Sequence, residues 1–131
     1  MANLHVLNAT TATGAPDAAA VLTKAFVRAV DRLGLTHAES ARLLGLSRPS
    51  LSRMTAGTYV LAEDRGKEWE LATLTVRLYR SLLAIVGTDA RAQAWLKGHN
   101  EELRARPLEL VMSAQGLVQV VQYLDAYRGR V

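Results

Sequence analysis

Residues 36–54 constrain the fold of this chain most, because they contain two short helical patterns separated by a glycine. Thr36 and Glu39 have the spacing of a capping box, in which each side chain accepts a hydrogen bond from the other residue's backbone amide at a helix start. Gly45 can adopt the positive φ angle that ends such a helix. Small and apolar side chains between them predict a buried stripe: Ala38, Ala41 and Leu44.

A second helix is predicted directly after this turn. Ser47 has the side chain of an N-cap, and Pro49 falls in the first turn, where a helix needs no internal amide donor. Leu51 and Met54 are three residues apart, so they lie on one face and predict the buried side of the helix. Two short helices joined by a tight glycine turn predict a helix-turn-helix.

The opposite face of the second helix is polar and cationic. Arginine can bind a guanine edge through two hydrogen bonds, and serine can bind a phosphate or a base edge, so we expect this face to contact DNA in the major groove. The alternative is an ordinary helical hairpin with solvated arginines. The residues predicted to bind DNA are Thr36, Ser47, Arg48, Pro49, Ser50, Ser52 and Arg53.

Positive charge is concentrated in the same part of the chain. The 131 residues have a formal net charge of +4 and a sequence pI near 9.9. Residues 21–62 contain six basic and two acidic side chains, so they carry the whole excess. A basic segment favours an anionic partner, and here it coincides with the predicted helix-turn-helix.

The composition argues against an enzyme, a metalloprotein and a membrane protein. Cysteine is absent, which excludes disulfides, thiolate nucleophiles and zinc–cysteine sites. His5, His37 and His99 do not pair at metal-ligand spacing, and no glycine-rich phosphate loop occurs. No apolar stretch has the length of a membrane span, and the first residues do not have the pattern of a signal peptide. We expect a soluble cytoplasmic protein with no cofactor, metal or catalytic residue.

The chain divides into three predicted regions. We interpret residues 1–16 as a flexible arm, residues 17–66 as the helix-turn-helix domain and residues 67–131 as a helical interaction domain. A supporting helix from Asp17 to Leu33 has a predicted buried face formed by Val21, Leu22, Ala25, Phe26, Ala29, Val30 and Leu33. Its other face carries Lys24, Arg28 and Arg32, which we interpret as solvated, with contact to a phosphate backbone as the alternative.

The second half begins with a helix predicted over residues 69–86 that is apolar on more than one face. Such a helix must be covered on several sides, so we expect the C-terminal helices or a second subunit to bury it, and we favour a homodimer. Thr88 is a predicted N-cap, Pro107 begins a short helical turn, and Ser113 begins the last helix. Since no strand-like alternation occurs, the predicted fold is all-α. In it, the long helix joins an N-terminal helix-turn-helix subdomain to a C-terminal helical domain.

The C-terminal half also resembles a known family. The resemblance is carried by Trp95, Leu96, Asn100, Leu103, Pro107, Leu108, Glu109, Leu110, Gly116, Leu117, Val120, Tyr123, Leu124 and Asp125. This pattern is similar to the toxin-binding domain of the Xre/MbcA/ParS antitoxins, in which an Xre-like helix-turn-helix precedes it. With both domains, the resemblance covers residues 21–131.

The resemblance implies an antitoxin that binds a RES-domain toxin, covers that toxin's NAD pocket and represses the operon that encodes both proteins. The residues expected to contact the toxin are Asp125, Tyr127, Arg128 and Arg130. Structural roles are expected for four residues of the pattern: Trp95 in the core, Asn100 as a local cap, Pro107 as a helix start and Gly116 at a close helix crossing. Many relatives carry a glycine shortly before the proline that Ala105 and Arg106 precede here, so we expect a differently shaped loop.

Two alternatives remain open from the sequence. The first is a dimeric helix-turn-helix transcriptional repressor without a toxin partner, whose C-terminal half only dimerises the protein, with or without a small-molecule ligand. The second is a toxin-binding protein that uses its helix-turn-helix only as a scaffold.

Overall fold

The computed structural model of the chain describes residues 17–129, which form seven helices. The helices are α1 (Ala18–Arg32), α2 (His37–Leu44), α3 (Arg48–Ala56), α4 (Gly66–Val86), α5 (Asp89–Lys97), α6 (Pro107–Leu110) and α7 (Ala114–Gly129). Within these residues no strand occurs beyond an isolated bridge between Asn100 and Ala105. The predicted all-α architecture, with a helix-turn-helix region leading through a long helix into a C-terminal helical region, is confirmed.

Two predictions fall on residues that the structure does not describe. They are the flexible arm at residues 1–16 and the toxin contact at Arg130. The domain boundary between residues 66 and 67 stays a prediction, and in the structure it falls at the start of α4.

The ends of the first helices follow local sequence signals. The Asp17 side chain accepts a hydrogen bond from the Ala19 amide and caps α1. The helix ends before Gly34, which has a φ angle of 71°. Gly45 ends α2 at the same φ angle, in the left-handed region that a residue without a Cβ adopts most easily. The resulting turn brings α3 back against α2, as the glycine spacing predicts.

Buried apolar side chains from both halves form one continuous core. Its largest members include Phe26, Leu33, Leu44, Leu51, Leu61, Leu78, Leu82, Leu96, Leu117 and Leu124. Two predicted members are wrong. Val21 is 54% exposed because it lies in an open groove beside α4, and Ala38 is exposed because Ser40 takes the inner position of the first turn of α2. The Ser40 hydroxyl is satisfied there by donating to the Thr36 carbonyl over 2.8 Å.

The long helix α4 connects the two halves of the molecule. It packs against α1 and α2 on the N-terminal side and against α5 and α7 on the C-terminal side. Helices of the same chain therefore cover its apolar faces, so its composition by itself does not require a second subunit. No single helix within residues 17–129 has the length and hydropathy of a membrane span. The pair α4 and α5 together has that length and hydropathy, but the two helices are bent by 107° relative to each other.

The start of α7 packs tightly against the end of α6. Pro107 is the buried first residue of α6, as predicted, and the Gly116 amide donates to the Ser113 hydroxyl over 3.1 Å. A Cβ on Gly116 would lie 1.9 Å from the Leu110 carbonyl oxygen. The close approach predicted at Gly116 is confirmed, because only glycine fits there.

Candidate functional site

The turn that leads into α2 is fixed by a complete capping box. The Glu39 amide donates to Thr36 Oγ1 over 3.0 Å, and the Thr36 amide donates to Glu39 Oε1 over 2.9 Å. Thr36 is exposed but its hydroxyl already accepts a backbone hydrogen bond. Its position suits contact with a phosphate at the N-terminus of α2, where exposed amides and the helix dipole favour an anion.

The start of α3 is held by a short chain of side-chain hydrogen bonds. Ser47 accepts from the Ser50 amide over 3.2 Å and donates from its own hydroxyl to Ser50 Oγ over 2.9 Å. Arg53 Nη2 donates to the same Ser50 oxygen over 3.2 Å. Ser50 is half-buried, and its hydrogen bond from Arg53 holds the guanidinium in place.

The remaining predicted DNA-contact residues of α3 are open to solvent. Arg48, Pro49, Ser52 and Arg53 are all exposed, while Leu51 and Met54 are buried on the opposite face. The structure therefore brings the predicted recognition residues onto one exposed, cationic face at the N-terminal part of a short helix. This arrangement matches the geometry with which a recognition helix enters a major groove.

At the other end of the molecule, Ser81 of α4 connects to the last turns of α7. Its hydroxyl, which is fully buried, donates to Asp125 Oδ1 over 3.1 Å and accepts from Arg128 Nη1 over 3.1 Å. Arg77, one turn earlier on α4, forms an ion pair with the other oxygen of Asp125. Asp125 and Arg128, both predicted toxin contacts, are thus anchored to α4, and we call this group the Ser81 cluster (Arg77, Ser81, Asp125 and Arg128).

Sequence reasoning missed Ser81 and Arg77. The one available signal was a serine placed among apolar residues of α4, one helical turn after an arginine. Their partners lie more than forty residues further along the chain, at separations that helical periodicity does not encode.

An aromatic surface lies beside this end of α7. The rings of Trp95 and Tyr123 stack with centroids 6.3 Å apart, and the Tyr123 hydroxyl donates to Glu102 Oε1 over 2.9 Å. Burial and the adjacent carboxylate raise the pKa of Tyr123, with burial as the larger cause. Tyr127 on the next turn is 43% exposed. Trp95 has the structural role expected from the sequence, and Asn100 acts as the expected local cap by accepting from the Leu103 amide over 2.9 Å.

A polar junction joins the N-terminal helices to the C-terminal ones. Asp89, at the start of α5, accepts from Arg32 Nη1 over 3.1 Å and from the Tyr79 hydroxyl over 2.8 Å. Gln93 donates to the Arg32 carbonyl over 2.9 Å. The hydrogen bond from Tyr79 is the main cause that lowers the pKa of Asp89, and burial is the main cause that raises the pKa of Tyr79.

Potential metal ligands are dispersed in this part of the chain. No group of three or more histidine, aspartate or glutamate side chains converges within residues 17–129.

Comparison with known proteins gives two matching domain families. Residues 13–77 match the antitoxin Xre-like helix-turn-helix domain, and residues 81–130 match the antitoxin Xre/MbcA/ParS C-terminal toxin-binding domain. Among solved structures, the chain is similar to one in the crystal structure of the M. tuberculosis MbcT–MbcA toxin-antitoxin complex. The identity is 27% and the TM-score 0.61, over 85% of this chain and 96% of that chain. No curated protein sequence matches it.

The fold and these matches define a helix-turn-helix protein whose second domain binds a toxin. The chain belongs to the Xre/MbcA/ParS family and is the antitoxin of a toxin-antitoxin system. Both matching families are antitoxin families, and neither is a family of enzymes.

Proposed function

We propose that this antitoxin binds and occludes the active site of a RES-domain toxin that degrades NAD, and that it represses its own operon by binding operator DNA. The observation that carries the proposal is the presence of both antitoxin domains on one chain, at residues 13–77 and 81–130. The exposed cationic face of α3 supports the DNA-binding half. The similarity to the MbcT–MbcA complex supports the toxin-binding half.

For the toxin contact, the three predicted residues that the structure describes divide into two groups by their surroundings. Tyr127 is exposed, and an exposed aromatic side chain at a helix end suits an anchor that inserts into a partner's pocket. Asp125 and Arg128 are bonded to Ser81, so they also fix the last turns of α7. We propose that Tyr127 and Arg130 enter the toxin and that Asp125 and Arg128 present them.

The first test is co-expression of the antitoxin with the product of the adjacent gene, followed by pull-down and measurement of cellular NAD. We expect a stable complex and restored growth and NAD. Tyr127→Ala is expected to weaken the complex by about tenfold or more, as for a typical anchor residue. Val118→Ala is the matched control, because Val118 is exposed on the opposite side of α7. Absence of both a complex and rescue would contradict the antitoxin–toxin pairing and favour a repressor without a toxin partner.

The DNA-binding half is tested separately with the DNA upstream of the operon. Arg48→Ala combined with Arg53→Ala is expected to reduce operator affinity and its salt dependence, because both side chains are removed from the recognition face. Arg91→Ala combined with Lys97→Ala removes the same charge from α5 and serves as the control. Unchanged operator binding in the α3 double variant would contradict the assignment of α3 and favour a helix-turn-helix that acts only as a scaffold.

We also propose a homodimer. One helix of nine residues reaches few base pairs, and two-fold pairing of such helices is the usual way to obtain a specific site. The operator would then contain two half-sites separated by about 34–36 Å, or a multiple of that distance. Light scattering at micromolar concentration checks the mass, and a monomer would contradict both the dimer and the half-site spacing.

A further inference from the structure

A groove lined by cations lies between α1 and α4, outside the recognition face of α3. Its volume is about 510 Å³, and its apolar lining includes the side chains of Val21 and Val76. Its rim carries four basic residues, namely Lys24, Arg28 and Arg32 from α1 and Arg80 from α4. We call it the basic groove.

Among the residues that the structure describes, no carboxylate lines the basic groove. Arg32 forms an ion pair with Asp89, but Lys24, Arg28 and Arg80 have no carboxylate within 4 Å among residues 17–129. Residues 1–16 and 130–131 contain no aspartate or glutamate that could supply one. A cleft that carries one sign of charge on apolar walls concentrates its electrostatic field and attracts a polyanion. The same charges oppose the two-fold pairing of this face with a second copy of the chain.

The spacing of these cations fits an extended anion better than a compact one. Lys24, Arg28 and Arg32 follow one another at four-residue intervals, so they form a ridge with steps of about 6 Å along α1. Arg80 faces this ridge from the other wall of the groove. A DNA strand presents one phosphate about every 3.4 Å along its axis, so such a ridge can follow a run of phosphates.

The ridge also borders the recognition helix. Lys24 and Arg28 line a second, larger groove of about 590 Å³, whose other side includes Thr55 and Gly57 at the C-terminal end of α3. Thr55 lies seven residues after Arg48 and three residues after Ser52, so the three side chains share one face of α3. Asp31 also lines this second groove, but Lys24 and Arg28 connect the basic groove to the surface proposed to enter the major groove, which favours DNA over an acidic protein segment as the occupant.

We propose that the basic groove binds the phosphodiester backbone of DNA through Lys24, Arg28 and Arg80. The interface then extends from the helix-turn-helix onto α4, a helix that the toxin-binding half shares. This inference rests on the proposed DNA binding. It adds to that binding a contact that is independent of base sequence.

The test measures binding of the full chain to a short random-sequence DNA duplex by fluorescence anisotropy over a series of salt concentrations. Lys24→Ala combined with Arg28→Ala, and Arg80→Ala alone, are the test variants. The slope of log affinity against log salt is negative, and each lost phosphate contact is expected to reduce its magnitude by about 0.9, which is about an eightfold loss of affinity at 0.1 M salt. Arg80→Lys is expected to retain most of the affinity, because a phosphate accepts either cation.

Arg91→Ala combined with Lys97→Ala changes the net charge by the same amount as the α1 double variant, and it should leave the slope unchanged. An equal loss in this control would overturn the proposal, since net charge alone would then explain the effect. Unchanged duplex binding in the groove variants, whether or not their affinity for the toxin falls, would also overturn it. Failure of the recognition helix is distinguishable, because Arg48→Ala with Arg53→Ala removes the preference for operator over random duplex and leaves the contribution of the groove in place.

Discussion

The two halves of this antitoxin hold their polar side chains in different ways. In the helix-turn-helix domain, most side-chain bonds are local, as between Thr36 and Glu39, three residues apart; the exception is the bond from the Leu61 amide to the Thr23 hydroxyl. In the toxin-binding half, the main polar cluster joins Ser81 to Asp125 and Arg128, 44 and 47 residues away. Short helices with local caps can form their ends before the rest of the chain folds, whereas the position of α7 depends on completed tertiary packing.

The largest effect is expected from Gly116→Ala. The added methyl group would overlap the Leu110 carbonyl oxygen, so α7 must shift away from α6, and we expect a loss of about 3 kcal/mol in the free energy of unfolding. Urea unfolding followed by circular dichroism measures it. Gly66→Ala is the control, since a Cβ there meets no atom within 4 Å, and it should be close to neutral. If the two variants unfold at the same urea concentration, α7 can shift away from α6 without loss of stability, and the packing at Gly116 is not rigid.

Ser81→Ala tests the long-range cluster directly. The substitution leaves Asp125 and Arg128 without their shared buried partner, and we expect a loss of about 2 kcal/mol. The free energy of unfolding of Ser81→Ala, Arg128→Ala and the double variant gives the coupling between the two side chains. If the losses of the two single variants add up to the loss of the double variant, Ser81 and Arg128 are not energetically coupled. The two halves would then differ only in the sequence distance between bonded residues.

A smaller effect is expected at the turn of the helix-turn-helix. Gly45 has a positive φ angle but open space around a potential Cβ, so Gly45→Ala carries only the conformational cost of about 1 kcal/mol. Gly45→Asn should cost less, because asparagine adopts the left-handed region more readily. Urea unfolding of both variants measures the difference. A larger loss for asparagine than for alanine would indicate that side-chain volume, not backbone conformation, limits this turn.

The smallest effect concerns pH and the junction between the halves. Tyr79 and Arg32 hold the pKa of Asp89 below its ordinary value of 3.8, so the carboxylate adds stability at higher pH. That contribution is lost as the pH falls from the ordinary pKa of 3.8, which holds in the unfolded chain, through the lower pKa that Asp89 has in the folded chain. The difference in urea midpoint between the natural chain and Asp89→Asn should therefore shrink from about pH 6 to about pH 3. Tyr79→Phe should weaken this dependence, and a difference that stays constant with pH would mean that the junction does not stabilise the charged form.

The contrast between the halves also explains what the sequence could predict. The caps at Thr36 and Ser47 and the turn at Gly45 were predictable, because their partners lie within the same few residues. The exposure of Val21 was not, since it depends on how α1 packs against a helix more than forty residues later. In the candidate site, the exposed face of α3 followed from periodicity.

The anchoring of α7 was beyond reach for the same reason. Asp125 and Arg128 looked like free surface residues, because nothing near them in the chain offers a buried hydroxyl. Ser81 supplies it from α4, and only the folded structure brings the three side chains together.

The sharing of α4 has a consequence for how such antitoxins can diversify. The two matching families meet between residues 77 and 81, in the middle of this helix. Val76 and Arg80 line the groove beside α1, while Arg77 and Ser81 bond to α7. Adjacent residues of the same two turns therefore contact different helices. A toxin-binding half transplanted from a relative at this seam would bring the equivalent of Ser81 but not that of Arg77, so Asp125 would depend on the recipient chain for its ion pair. Exchange of whole domains therefore requires an arginine at position 77 of the recipient, whereas substitutions on the exposed surface of α7 leave this ion pair in place.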